Sequence, residues 1–128
     1  MPMLGLFITA FAVVTYLAVS LPASGRIPRG GLVGIRTPST RRSDEAWLAA
    51  HRAALPLTTW TTLVTVVYGV LVACGWSPLD LAPEHIALIG LAISVGGLLV
   101  ATVVAVRAAR SVTTETSAPE SGPGRPEA

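Results

Sequence analysis

The sequence predicts an all-α integral membrane protein with three transmembrane helices. Only 12% of the 128 residues are charged and 52% are hydrophobic, whereas a soluble domain usually carries about 25% charged residues. The chain also has three long stretches without any Asp, Glu, Lys or Arg, at residues 1–25, 53–79 and 85–106. So few charges cannot cover the surface of a small soluble domain, and a membrane protein is therefore the first expectation.

Each charge-free stretch holds one predicted span, at about residues 3–22, 57–76 and 86–106. A helix rises about 1.5 Å per residue, so about 20 apolar residues cross the hydrocarbon core. The second span is the least apolar, but its threonines can hydrogen-bond within their own helix or to a neighbouring one. A cleaved signal peptide is the alternative for the first span, although the basic segment typical of such peptides is absent.

All nine basic side chains are arginines, and their placement predicts the orientation. Six lie in segment 23–55, three follow the third span, and none lies in segment 77–85. Because positively charged loops stay in the cytoplasm, we expect the N-terminus outside and the C-terminus in the cytoplasm. Residues 1–110 form the predicted membrane domain, and residues 111–128, rich in Ser, Thr, Pro, Gly and Glu, form a predicted disordered cytoplasmic tail.

The predicted cytoplasmic loop 23–55 has two halves. Gly and Pro predominate up to Thr40, as is typical of irregular turns. Thr40 and Ser43 are then expected to cap a helix start, since two acids and good helix formers follow. Trp47 and His51 are four residues apart and share a face of this helix. We expect a short cytoplasmic interfacial helix with its apolar side on lipid or on the spans, ending or bending at Pro56.

The third span carries a row of small residues that predicts a packing face. The row consists of Gly90, Ser94, Gly97, Ala101 and Ala105. Their spacing of three or four residues keeps them on one side of a helix, and small residues allow helix backbones to approach closely in lipid. We expect this face to contact the first span, the second span or a second copy of the chain.

The residues offer no catalytic constellation on one side of the membrane. We identify no Ser/His/Asp, Cys/His or paired-carboxylate constellation there, and the single cysteine, Cys74, excludes an intrachain disulfide. Asp80, Glu84 and His85 are interpreted as solvated loop residues rather than as a metal site. We therefore expect no enzyme activity, no cofactor and no metal. Direct nucleic-acid binding is not expected either, because the basic residues are few and lie between apolar segments.

The loop sequence GIRTPSTRRSDEAWLAAHR resembles the signature of the SdpI family of bacterial membrane proteins. The matching positions are Gly34, Ile35, Arg36, Thr37, Pro38, Thr40, Ser43, Trp47, His51 and Arg52. The preceding segment Gly25-Arg26-Ile27-Pro28 also fits the family. Ser39 departs from the pattern, since family members often have an aromatic residue there.

The resemblance implies immunity to a secreted peptide toxin and, in one member, the relay of a signal by holding a transcriptional repressor at the membrane. The expected partners are therefore a peptide toxin and a cytoplasmic regulator, in addition to the lipid bilayer and further copies of the chain in a homo-oligomer. Arg36, a planar guanidinium suited to phosphate, carboxylate or carbonyl groups, is the leading candidate for binding. Alternatively, Arg36 only contributes to the positive charge that sets the membrane topology. A structural accessory subunit remains the alternative function; a small oligomeric transporter is less favoured, because the spans hold no ionisable residue of the kind that marks ion paths.

Overall fold

Three α-helices make up the fold, and the computed structural model describes residues 2–77 and 80–116. The helices are α1 (Pro2–Ala23), α2 (Asp44–Ala73) and α3 (Pro83–Thr116). Each contains an 18-residue window apolar enough to cross a membrane, with mean hydropathy of 2.2, 1.6 and 2.5 respectively. No strand occurs in the described ranges. The predicted class, an all-α multi-pass membrane protein with three spanning helices, is therefore confirmed.

The central helix is α2. It packs along both α1 and α3, whereas α1 and α3 contact each other little. Near the connection between α1 and α2, alanines spaced four residues apart on α2 pack against similarly spaced alanines of α3. These are Ala46, Ala50 and Ala54 on α2 and Ala101, Ala105 and Ala109 on α3, all fully buried. Alanine at every fourth position brings two backbones close together over several turns.

The predicted interfacial helix is not a separate element, because α2 continues through Pro56 without interruption. A proline inside a helix removes one backbone hydrogen bond, and the alanine-rich sequence before it strongly favours the helix. The hydroxyl groups of Thr58 and Thr59 then donate to the carbonyl oxygens of Ala54 and Leu55 at 3.0 and 2.8 Å. The segment predicted to lie on the membrane surface is therefore the first part of α2.

The closest helix contact joins α1 and α2 at two glycines, Gly5 and Gly69. A Cβ atom placed on Gly69 would lie 2.9 Å from the carbonyl oxygen of Gly5, and one placed on Gly5 would lie 2.8 Å from the Cα atom of Ala73. The two backbones therefore touch directly. The small-residue row of α3 meets side chains rather than backbone: Gly90 faces Ile8 of α1, and Gly97 lies closely against Thr61 of α2.

The last helix extends further than the sequence predicts. α3 runs to Thr116, so residues 111–116, the first part of the predicted disordered tail, are helical. Backbone hydrogen bonds within a helix do not depend on the membrane, so a helix can continue beyond its span where no proline or glycine intervenes. Residues 117–128 of the predicted tail lie outside the described residues.

Candidate functional site

The residues that connect α1 to α2, 24–43, fold back onto the first turns of α2 and form the candidate site, called the connecting loop below. Two aromatic rings of α2 support it. Trp47 and His51 are 2% and 0% exposed, and their ring centroids are 4.2 Å apart. They do not face lipid, as one reading of the sequence allowed, but are covered by the connecting loop.

His51 joins the loop to α2 through both ring nitrogens. Its Nε2 atom accepts a hydrogen bond from the backbone N–H of Ile35 at 2.9 Å, and its Nδ1 atom lies 2.8 Å from the carbonyl oxygen of Trp47. Because a backbone N–H can only donate, Nε2 must be unprotonated, and the proton lies on Nδ1. His51 is therefore a neutral structural residue in this arrangement, with neither ring nitrogen left for an external ligand.

Gly34 lies against the two rings where the loop turns. Its φ of +125° is a conformation that L side chains rarely adopt. A Cβ atom at this position would also lie 2.8 Å from Nε2 of His51 and 2.9 Å from Cη2 of Trp47. The indole Nε1 of Trp47 in turn donates to the carbonyl oxygen of Ile27 at 3.0 Å. The loop is thus held to α2 at two places, near Ile27 and near Ile35.

Thr37 and Thr40 close a tight turn around the exposed Pro38. The hydroxyl of Thr40 accepts from the backbone N–H of Thr37 at 3.0 Å and donates to the carbonyl oxygen of Ile35 at 2.8 Å. Thr40 was expected to cap α2, and that expectation is wrong, because its hydroxyl is fully used inside this turn. Ser43 alone is the N-cap: its hydroxyl accepts from the N–H of Ala46 at 3.0 Å.

Two arginines tie the ends of the loop to the helices. Nε of Arg52 donates to the carbonyl oxygen of Ala23, the last residue of α1, at 3.3 Å. Arg29 pairs with Asp44 at 3.1 Å and donates to the carbonyl oxygen of Arg42 at 2.9 Å. The sequence analysis missed the role of Arg29, since fifteen positions separate it from Asp44 and no local pattern connects them.

Arg36 differs from Arg29 and Arg52, because its side chain is exposed and makes no hydrogen bond or ion pair with another described residue. The side chains of Arg26, Arg41 and Arg42 share this property, but Arg36 lies between two residues that are held in place. Its neighbour Ile35 is buried, and Thr37 belongs to the closed turn. Leu32 beside it is 92% exposed, and Val33 is also exposed. We call Leu32, Val33 and Arg36 the loop rim. The rim combines apolar surface with a planar group of N–H donors.

The described residues contain no group of three His, Cys, Asp or Glu side chains close enough to hold a metal ion. The site therefore consists of a hydrogen-bonded loop that exposes several arginines, among them Arg36 between two fixed residues.

Three long apolar helices and an ordered, arginine-rich loop between the first two define a multi-pass helical membrane protein. The model of the SdpI/YfhL protein family matches residues 26–108, more than half of the chain, so the chain belongs to this family. The match covers the connecting loop from Arg26 onward, all of α2 and most of α3. No curated protein and no solved structure matches the chain. The family is in general one of non-enzymatic membrane immunity proteins.

Proposed function

We propose that the chain is a non-enzymatic immunity and signalling protein of the bacterial cell membrane, which binds a peptide toxin within the membrane and a cytoplasmic regulator at the loop rim. The observation that carries the proposal is the exposed guanidinium of Arg36 on a loop whose neighbouring residues are fixed. Family membership supports the immunity role, and the exposed loop rim supports the binding of a regulator.

The fixed loop favours binding for a physical reason. Association costs free energy for every side chain and loop that becomes ordered. Here the hydrogen bonds of His51 and Thr40 already order the backbone on both sides of Arg36. Only the side chain of Arg36 has to be immobilised. Arginine is also among the residues enriched at the energetic centres of protein interfaces. A partner with a carboxylate next to an apolar patch would match the rim.

The proposal requires the connecting loop to face the cytoplasm, and cysteine labelling tests this. In a Cys74→Ser background, His85→Cys and Leu32→Cys place a single thiol at exposed positions of the two ends of the bundle. We expect a membrane-impermeant thiol reagent to label position 85 on intact cells and position 32 only after permeabilisation, because arginine-rich loops stay inside. The reverse pattern would refute the orientation.

Arg36→Lys tests the binding role of the rim. Lysine keeps the charge that sets topology but loses the planar donors. We expect normal membrane abundance, together with loss of survival when cells lacking their own copy are challenged with the secreted peptide fraction of a toxin-producing strain. Loss of one hydrogen bond to a charged group costs about 1.5–3 kcal/mol, enough to lower the affinity for a partner by about tenfold or more.

Arg41→Lys and Arg42→Lys are the matched controls, since both side chains are exposed on the same loop. These variants should protect cells as well as the unsubstituted chain does. If Arg36→Lys also protects fully, the rim has no special role and the arginines only set topology. If the unsubstituted chain gives no protection, the immunity function itself is refuted.

A further inference from the structure

A groove separates α1 from α3 at the end of the bundle opposite the connecting loop. It exists because both helices pack on α2 rather than on each other. Its volume is about 430 Å³, within the range of small-ligand sites in proteins. The walls are apolar side chains, and the carboxylate of Glu84 lies at one end; the main apolar residues are Leu4, Phe7, Phe11, Leu88 and Leu91.

The residues at the bottom of this groove are buried, whereas the side chains of its two walls are exposed. Ile8 is buried against Gly90, and the hydroxyl of Ser94 donates to the carbonyl oxygen of Gly90 at 3.0 Å. By contrast, Phe7 on one wall is 69% exposed and Leu88 on the other is 60% exposed. Glu84 makes no ion pair with another described residue. The lining therefore offers an occupant apolar surface and one free negative charge.

Charge decides which occupant fits. Among the described residues, Asp80 and Glu84 are the acidic groups at this end, and the arginines lie in or near the connecting loop or in the last turns of α3. A second copy in the same orientation would bring its own Asp80 and Glu84 to this level, and like charges would repel. An anionic phospholipid would bring its net negative charge to the same place and would be repelled as well. A cationic group, in contrast, is attracted to Glu84.

We propose that this groove binds the apolar segment of a cationic peptide, with an ammonium or guanidinium group of the peptide paired with Glu84. The inference rests on the proposed function, since it names the site and the chemical class of the peptide that the protein would bind in the membrane. Such a pair is stronger at the edge of a membrane than in water, because the effective dielectric constant is lower there.

Direct binding of synthetic peptides tests the inference. The full chain is placed in nanodiscs of phosphatidylcholine and carries a donor dye on Cys74, which is exposed at the groove end of α2. The probe is a Leu/Ala peptide of about 20 residues, long enough to span the bilayer, with Arg at each end and an acceptor dye. A matched peptide has Gln in place of Arg. Energy transfer measures the affinity.

We expect the Arg peptide to bind at least about tenfold more tightly than the Gln peptide, and Glu84→Gln to remove that difference. Leu91→Trp, which fills the groove, should weaken both peptides. Leu99→Trp is its control on the same helix, since Leu91 and Leu99 are 51% and 63% exposed and only Leu91 lines the groove. Equal affinity of the two peptides, or equal effects of the two Trp variants, would overturn the inference.

Different results would refute the proposed function and the proposed peptide site in the groove. Arg36→Lys should leave peptide affinity in nanodiscs unchanged, because Arg36 lies at the other end of the bundle; a loss of affinity there would contradict the assignment of the groove. If the unsubstituted chain does not protect cells, the immunity function is refuted. Peptide binding in the groove is tested only by the peptide titration in nanodiscs.

Discussion

Gly69→Ala is expected to destabilise the bundle by about 1–3 kcal/mol, the usual cost of overpacking a filled interior. The added methyl group would lie 2.9 Å from the carbonyl oxygen of Gly5 and 3.1 Å from the backbone nitrogen of Thr9, and closer still to the hydroxyl of Thr9. Backbone atoms cannot rotate away as a side chain can. The two helices must therefore separate along this contact, which lowers the thermal unfolding temperature in mild detergent.

Gly96→Ala provides the control for that measurement. Gly96 lies inside α3, and a Cβ atom there would meet nothing within 4 Å. Alanine favours a helix over glycine by up to about 1 kcal/mol, so this variant should be neutral or slightly more stable. Opposite signs for the two substitutions are the expected result. An unchanged unfolding temperature for Gly69→Ala would mean that α1 and α2 do not touch at this point.

Gly34→Ala is the second substitution with a large expected effect, and it acts on the connecting loop alone. The positive φ costs an alanine on the order of 1–3 kcal/mol, and its methyl group would collide with the rings of His51 and Trp47. The loop should therefore detach from α2. In a Trp60→Phe, Trp76→Phe background, Trp47 is the remaining tryptophan. Its emission should shift to longer wavelength and become accessible to iodide.

Gly30→Ala is the matched change in the same loop, since a Cβ atom on Gly30 has no neighbour within 4 Å. Its Trp47 emission should equal that of the parent. Gly34→Ala should also abolish protection of cells, because the loop rim would no longer be held in place. A buried, unquenched Trp47 in the Gly34→Ala variant would show that the loop does not depend on this contact.

The parts of the fold that depend on local sequence could be predicted. The three helices follow from apolar stretches without charges, and Ser43 as the N-cap follows from the acids behind it. Pro56 shows the limit of such signals. Proline alone predicts an end or a bend, but the buried alanines that precede it pack against α3, and α2 continues through Pro56 as one helix.

Contacts between distant residues could not be predicted. Gly5 and Gly69 are separated by most of two helices, and nothing in either neighbourhood indicates that they meet. The same holds for the connecting loop, because the hydrogen bonds of Ile35 with His51 and of Ile27 with Trp47 form only when the chain folds back. The family motif groups its positions together, whereas the structure separates residues that hold the loop, such as His51 and Thr40, from Arg36, whose exposed side chain makes no hydrogen bond with another described residue.

The continuity of α2 has a mechanical consequence. One helix carries His51, which holds the loop, and Gly69, which touches α1, so a turn of α2 about its axis moves the loop rim and the contact with α1 together. Pro56 is the one position inside α2 that lacks a backbone donor, and it lies between these two contacts. Because one backbone hydrogen bond is already absent there, a bend of α2 between the two contacts would cost least at Pro56; a straight α2 couples the two contacts, and such a bend would uncouple them.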